Sequence, residues 1–178
     1  MLFQKGSLSI RYVIEDDVNT ISKWLTNSEV LQYYEGRDNP QSPEKVRTNF
    51  VHSPKGKEKR CIVEYTEEPI GYIQIYPIDS EWKKLYGYRK NQNIWGMDQF
   101  IGEPIYWNRG IGTELVQAAI TYITDELGAE AITMDPRVSN ERAVHCYEKC
   151  GFQKVKILKE HELHEGELED CWMMEFKK

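Results

Sequence analysis

No stretch of this chain carries the roughly 18 consecutive apolar residues of a membrane-spanning helix, and the opening "MLFQKGSLSIRY" lacks the apolar centre of a signal peptide. A soluble, cytoplasmic protein with no membrane partner is the expectation. Cysteine is scarce and unpatterned: Cys61, Cys146, Cys150 and Cys171 form no CxxC pair, and a chain of 178 residues with 40% hydrophobic content needs no disulfide staple. All four are read as reduced thiols. No proline- or serine-rich linker interrupts the sequence, which points to a single domain over residues 1–178. Two phosphate loops are excluded, because neither GxxxxGKS nor GxxxxGKT occurs and the pair Gly110, Gly112 lacks the third glycine of a dinucleotide fingerprint. A positive charge excess is missing as well. The formal net charge of −6 argues against a nucleic-acid partner and suits cationic small molecules.

What the chain does contain is "YWNRGIGTELVQAAITYITDELG", Tyr106 to Gly128, with two glycines one residue apart before a long amphipathic run. Leu115, Ala119 and Ile123 recur every four residues, Val116, Ile120 and Leu127 fill the neighbouring positions, and Gly128 supplies the stop of an α-helix. Upstream, "NIWGMDQFIGEPIY" has the aromatic and aliphatic content of a buried strand. A strand, a Gly-rich turn and a helix in this order aim unpaired backbone N–H groups and the positive helix end at one spot, which can hold phosphate. A tight turn that needs glycine for its own geometry has the same sequence pattern.

Around this unit the pattern reads as follows. "SLSIRYV" alternates as a strand, "EDDVNTISKWL" is a helix, and "NSEVLQYY" and "SPEKVRTNFVH" are two further helices separated by the turn-rich "EGRDNP". "RCIVEYTEEPIGYIQIYPI" reads as a hairpin turning at Glu67, Glu68 and Pro69. "DSEWKKLYGYRKNQN" shows no clear period and is expected to be an exposed loop that helps to cover a site. "AEAITMDP" is a strand closed by Asp135-Pro136, a helix runs from about Asn140 to Cys150, and "FQKVKILKE" and "LEDCWMMEF" are strands flanking the acidic "EHELHEGE". The order βααα-ββ-βα-βα-ββ fits an α/β chain, a mixed sheet with helices on both faces.

On these residues the chain resembles the GNAT superfamily of N-acetyltransferases, whose signature, Gln or Arg followed by xxGxG or xxGxA, corresponds to Trp107-Asn108-Arg109-Gly110-Ile111-Gly112. Trp107 departs from the usual first residue. "SNERAVHCYEKCGF" resembles the family's second marker. Within the superfamily, "KWLTNSEVLQYYEGRD", "EPIGYIQIY", "WGMDQFIGEPIYW", "MDP" and "EHELHEGELEDCWMMEF" are similar, in the same order, to blocks of the aminoglycoside 6'-N-acetyltransferases, including the acetyltransferase half of the bifunctional acetylating and phosphorylating resistance enzyme.

The resemblance implies a GNAT fold with a mostly antiparallel central sheet, acetyl-CoA as co-substrate, and acetylation of the 6'-amine of aminoglycosides. Gly110, Ile111, Gly112 and Thr113 would then hold the coenzyme pyrophosphate through backbone N–H groups, with Arg109 adding charge. Phe100 and Ile101 would pair with the pantetheine arm, and Asn140 and Ala143 would meet the coenzyme, although Asn140 also suits a helix N-cap. Asp98 corresponds to the family's base or ammonium-orienting residue; with an ordinary Asp pKa near ~3.9 it is a weak base, so orientation counts as much as proton transfer. Tyr147 corresponds to the acid that hydrogen-bonds the departing thiolate, while a tyrosine on an inner helix face also serves as packing. Asp135 corresponds to a residue that binds a substrate amine, and Trp24, Tyr34, Glu35 and Asp38 to one wall of the acceptor cleft.

Glu160 to Asp170 forms an acidic segment enclosing His161 and His164. A solvated loop is its ordinary reading, and "HELH" lacks the zincin spacing, so no metal is expected. Fold does not fix the acceptor. Acetylation of a protein N-terminus or a polyamine, and a non-catalytic acyl-CoA-binding module, are the alternatives.

Overall fold

The structure is a computed structural model and describes residues 1–52 and 56–178. Its strands are β1 (Phe3–Lys5), β2 (Leu8–Tyr12), β3 (Lys59–Tyr65), β4 (Glu68–Pro77), β5 (Ile94–Ile101), β6 (Ala131–Met134), β7 (Gln153–His164) and β8 (Glu167–Lys177). They form one eight-stranded sheet in the order β1-β2-β3-β4-β5-β6-β8-β7. The helices are α1 (Val18–Trp24), α2 (Ser28–Leu31), α3 (Pro43–Val46), α4 (Ser80–Tyr86), α5 (Ile111–Asp125) and α6 (Glu141–Lys149). The mixed, mostly antiparallel sheet is as the sequence suggests; β5 and β6 pair in parallel, with α5 in the connection such a pair needs.

The chain packs as two compact units. The first comprises Met1–Gln74, Gln99–Gly112 and His164–Glu167. There β2 pairs antiparallel with β1 and β3, and α1 and α2 bury Ile21, Trp24, Leu25, Val30 and Leu31 against Ile62, Tyr72 and Phe100. Arg11 grips both oxygens of the buried Asp17 at 2.8 Å each and Glu64 at 2.6 Å, so one guanidinium on β2 joins β3 to the turn before α1. The second unit comprises Ile75–Asp98, Thr113–Leu163 and Leu168–Lys178. Its core includes Ile78, Ile94, Ala131, Leu158 and Met173, with Leu115, Ala119 and Ile123 of α5 fully buried. Asn93 closes the α5 terminus by donating to the Leu127 and Gly128 carbonyls, both at 2.9 Å.

Several elements differ from the sequence expectation. The segment read as an exposed loop contains α4: Asp79 caps it by accepting from Glu81 and Trp82 N–H, and Gly87 ends it at φ 90°. Seven residues are two turns, too short for a period to emerge. The hairpin before it turns on Thr66 and Glu67, both left-handed, rather than on Glu67 to Pro69. The acidic segment Glu160 to Asp170 is not a loop but the end of a long hairpin, since β7 and β8 run to a two-residue turn at Glu165 and Gly166, both at positive φ. Helix α3 is shorter than read and gives way to a wider π-type turn over Arg47–Val51.

Gly102 ends β5 where the chain passes Trp24. A Cβ at that position would lie 2.2 Å from the indole ring of a residue that is 1% exposed. Gly102→Ala is therefore expected to overpack this core and lower unfolding free energy by about 1–3 kcal/mol in denaturant titration; an unchanged midpoint would contradict the packing described.

Candidate active site

Asp98 lies within β5, and what surrounds it depends on a missing side chain nearby. At Gly96 a Cβ would sit 2.6 Å from the Tyr76 ring, so only glycine lets this ring cross the strand and present its hydroxyl. Tyr76 donates to Asp98 Oδ2 at 3.0 Å. Burial, then Asp98 and Asp135, push the Tyr76 pKa well above its ordinary value, so the phenol stays a protonated donor.

Asp135, just beyond β6, joins the same cluster. Its Oδ2 accepts from Tyr86 of α4 at 3.3 Å and lies 2.8 Å from Nε2 of His161 on β7. Tyr86 is likewise held protonated, mainly by burial and then by Asp135. The hydrogen bond to Asp135 raises the His161 pKa above 6.5, against burial, with the charges of Asp135 and Glu162 adding to the rise. Trp82 of α4 meets the imidazole edge to face at 5.3 Å. Two carboxylates that the sequence singles out separately thus share one aromatic, donor-rich cluster. Tyr76, Trp82, Tyr86 and His161 were not identified from sequence. The aromatic density of α4 was the available signal.

The glycine turn combines two left-handed residues, Asn108 (φ 57°) and Gly110 (φ 79°), before α5 begins at Ile111. A Cβ at Gly110 or Gly112 would meet nothing within 4 Å. Gly110 answers a backbone requirement; Gly112, with no positive φ, answers none, and the space beside it stays open at the positive end of a fifteen-residue helix. Ile111 is buried, and the exposed Arg109 rests over the Tyr106 ring at 5.4 Å. Trp107 is a structural pin: its indole N–H donates to the Ile101 carbonyl at 2.9 Å.

Thr113, in the first turn of α5, is held to α6 by two thiols. Cys146 Sγ lies 3.6 Å from its hydroxyl, and Cys150 Sγ lies 3.6 Å from its carbonyl. Asn140 is the N-cap of α6, accepting from Ala143 N–H at 3.3 Å. Tyr147 is half-buried, its ring 6.1 Å from that of Phe152.

In the first unit Phe100 collects the aromatic wall, with Tyr34 at 4.5 Å and Trp24 at 6.1 Å between ring centroids. Trp24 is a core residue whose indole donates to Glu103 at 2.8 Å. Tyr34 is half-buried, while Glu35 and Asp38 are exposed; Glu35 accepts from Asn39 at 3.1 Å. Arg37 next to them holds Glu165 with two parallel bonds. Among the described residues no group of three or more His, Cys, Asp or Glu side chains could hold a metal ion, and no helix is long and apolar enough to cross a membrane.

A family model described as an acetyltransferase (GNAT) domain matches residues 13–159. An aminoglycoside N(6')-acetyltransferase type 1 of Klebsiella pneumoniae is 27% identical over 83% of this chain and 75% of its own length. An N-alpha-acetyltransferase of Sulfurisphaera tokodaii is 39% identical over 72% of this chain and 83% of its own. Among solved structures, AAC(6')-Ib in complex with ribostamycin and coenzyme A superposes with a TM-score of 0.80, at 22% identity, over 97% of this chain and 94% of that one.

The hydrogen bond to Asp135 makes a sign-defined prediction. A raised folded-state pKa means that the stability contributed by the His161–Asp135 pair is present in full below the unfolded value of 6.5 and is lost as pH rises through the folded value. Nuclear magnetic resonance of the imidazole protons should show His161 titrating above 6.5, with Asp135→Asn moving it down; an unmoved titration in that variant would place the ring elsewhere.

Proposed function

The chain belongs to the acetyltransferase (GNAT) family, and on that premise we propose that it transfers the acetyl group of acetyl-CoA to the 6'-amine of aminoglycosides in the cytoplasm, conferring resistance. Residues 1–178 would act as one catalytic domain. The observation that carries the acceptor assignment is the pairing of Asp98 and Asp135 in one cluster, where the neutral phenols Tyr76 and Tyr86 donate to them. An acceptor with several ammonium groups finds two carboxylates there, whereas a peptide N-terminus brings one α-ammonium.

The coenzyme supplies an activated acetyl thioester. Backbone N–H groups of Gly110 to Thr113 bind its pyrophosphate, which the open flank of Gly112 admits, and Arg109 adds positive charge at the turn. Phe100 and Ile101 align the pantetheine arm, and Asn140 and Ala143 contact the coenzyme. Asp98 draws in the acceptor ammonium and accepts its proton, directly or through water, freeing the lone pair that attacks the thioester carbon. A carbon–nitrogen bond forms, the carbon–sulfur bond breaks, and Tyr147 stabilises the leaving thiolate through its hydroxyl. Asp135 holds a second ammonium, and Trp24, Tyr34, Glu35 and Asp38 contribute to acceptor binding.

Protein N-terminal acetylation is the second reading, favoured by the archaeal N-alpha-acetyltransferase relative. The variant Asp98→Asn separates the residue's role from general binding, because it keeps the volume and removes the charge and the proton acceptor. Pre-steady-state acetyl transfer to a 6'-amino aminoglycoside should fall about 10²–10⁴-fold while coenzyme affinity stays. Transfer at the wild-type rate would remove Asp98 from the mechanism. Faster wild-type transfer to N-terminal peptides than to any aminoglycoside would favour the second reading.

A further inference from the structure

The two donors on Asp135 differ in kind. Tyr86 is a neutral dipole that stays protonated, whereas His161, 2.8 Å from the carboxylate, is a cation that comes and goes with pH. The imidazole side chain is 12% exposed and that of Asp135 30%, so the carboxylate remains reachable from solvent while the ring beside it is fixed by Trp82. The charged and titratable groups facing the ring are Asp135 after β6, Tyr86 on α4 and Glu162 on β7 itself. Arg137 draws on Glu162 from 3.6 Å, the Cys171 thiol of β8, kept protonated by burial, lies 3.8 Å from the same carboxylate, and Asp98 with its donor Tyr76 adds to the surrounding charge. Acidic groups therefore dominate, and they favour the protonated ring.

We propose that protonated His161 is a resident cation at the subsite where Asp135 receives a second ammonium of the acceptor, so that a polycationic amine binds there at the expense of the imidazole proton. This rests on the reading of Asp98 and Asp135 as acceptor-binding carboxylates. Two cations on one carboxylate repel, and the ring is fixed in place; the free energy of ligand binding must then include loss of its proton. His161 is a positioning residue, acting on the acceptor through Asp135. It tunes the enzyme against polycations at low pH and releases the subsite as pH rises.

The test is calorimetric binding of kanamycin to the wild-type protein and to His161→Gln, which keeps a donor but cannot titrate, between about pH 5.5 and 8.5. One pH unit below the imidazole pKa the wild type should bind about tenfold more weakly than the variant, and the two should converge above it. Repeating the titration in buffers of different ionisation enthalpy should show about one more proton released per kanamycin by the wild type at the lower pH. An affinity ratio that stays constant across the range, with equal proton release, would overturn the proposal and leave His161 as packing, with the acceptor assignment intact. Failure of kanamycin to bind either protein at any pH would remove that assignment, and the proposal with it.

Discussion

Two like charges close together in a half-buried aromatic cluster are the constraint on which the second unit is organised. Asp98 and Asp135 each need donors, because a carboxylate removed from water without them is too costly to keep ionised. The chain meets this with polarisable or switchable groups: Tyr76 on Asp98, Tyr86 and His161 on Asp135. Each donor then imposes its own structural requirement. Tyr76 demands a glycine at position 96, Tyr86 demands a helix where the chain leaves β4, and His161 demands that β7 extend well past Leu158. The two phenols, and His161 once it has lost its proton, leave the negative charge available to an incoming cation, which a permanent arginine on the same carboxylates would cancel.

The proposed coenzyme site is built in the opposite way. The glycine turn offers no side chain at all, only N–H groups, an open flank and a helix end, and Trp107 steadies it by binding the Ile101 carbonyl. In the proposed reading, anion and cation recognition use different chemistry: backbone dipoles for the phosphates, carboxylates softened by phenols for the amines. Cys146 and Cys150 tie Thr113 to the helix that carries Tyr147, so the proposed acid shares its support with the start of α5, the proposed phosphate-binding helix.

Much of this was legible along the sequence wherever the signal was local. Helix α5 showed itself by its four-residue apolar repeat, α6 by Asn140 ahead of it, and the candidate carboxylates by their places in or just after strands. Asn140 proved to be the N-cap, one of its two anticipated roles. What stayed hidden was either short or long-range. Two turns of helix at Ser80–Tyr86 are too few for a period, and its Asp79 cap is one of many acids. Strand β7, read from "FQKVKILKE", runs on along the sheet edge to His164, and it was this acidic continuation that looked like a loop. The His161–Asp135 contact joins residues 26 apart in sequence, and Tyr86–Asp135 joins residues 49 apart. No spacing rule reaches such pairs.

The central claim is that this carboxylate cluster presents an aminoglycoside amine to an acetyl thioester. It is tested most directly by the mass and the position of the acetyl group after the protein is incubated with acetyl-CoA and kanamycin. The account predicts a single added acetyl, located by nuclear magnetic resonance on the 6'-nitrogen. Kanamycin recovered unmodified, with acetyl groups instead on the α-amines of peptides supplied in the same reaction, would contradict it.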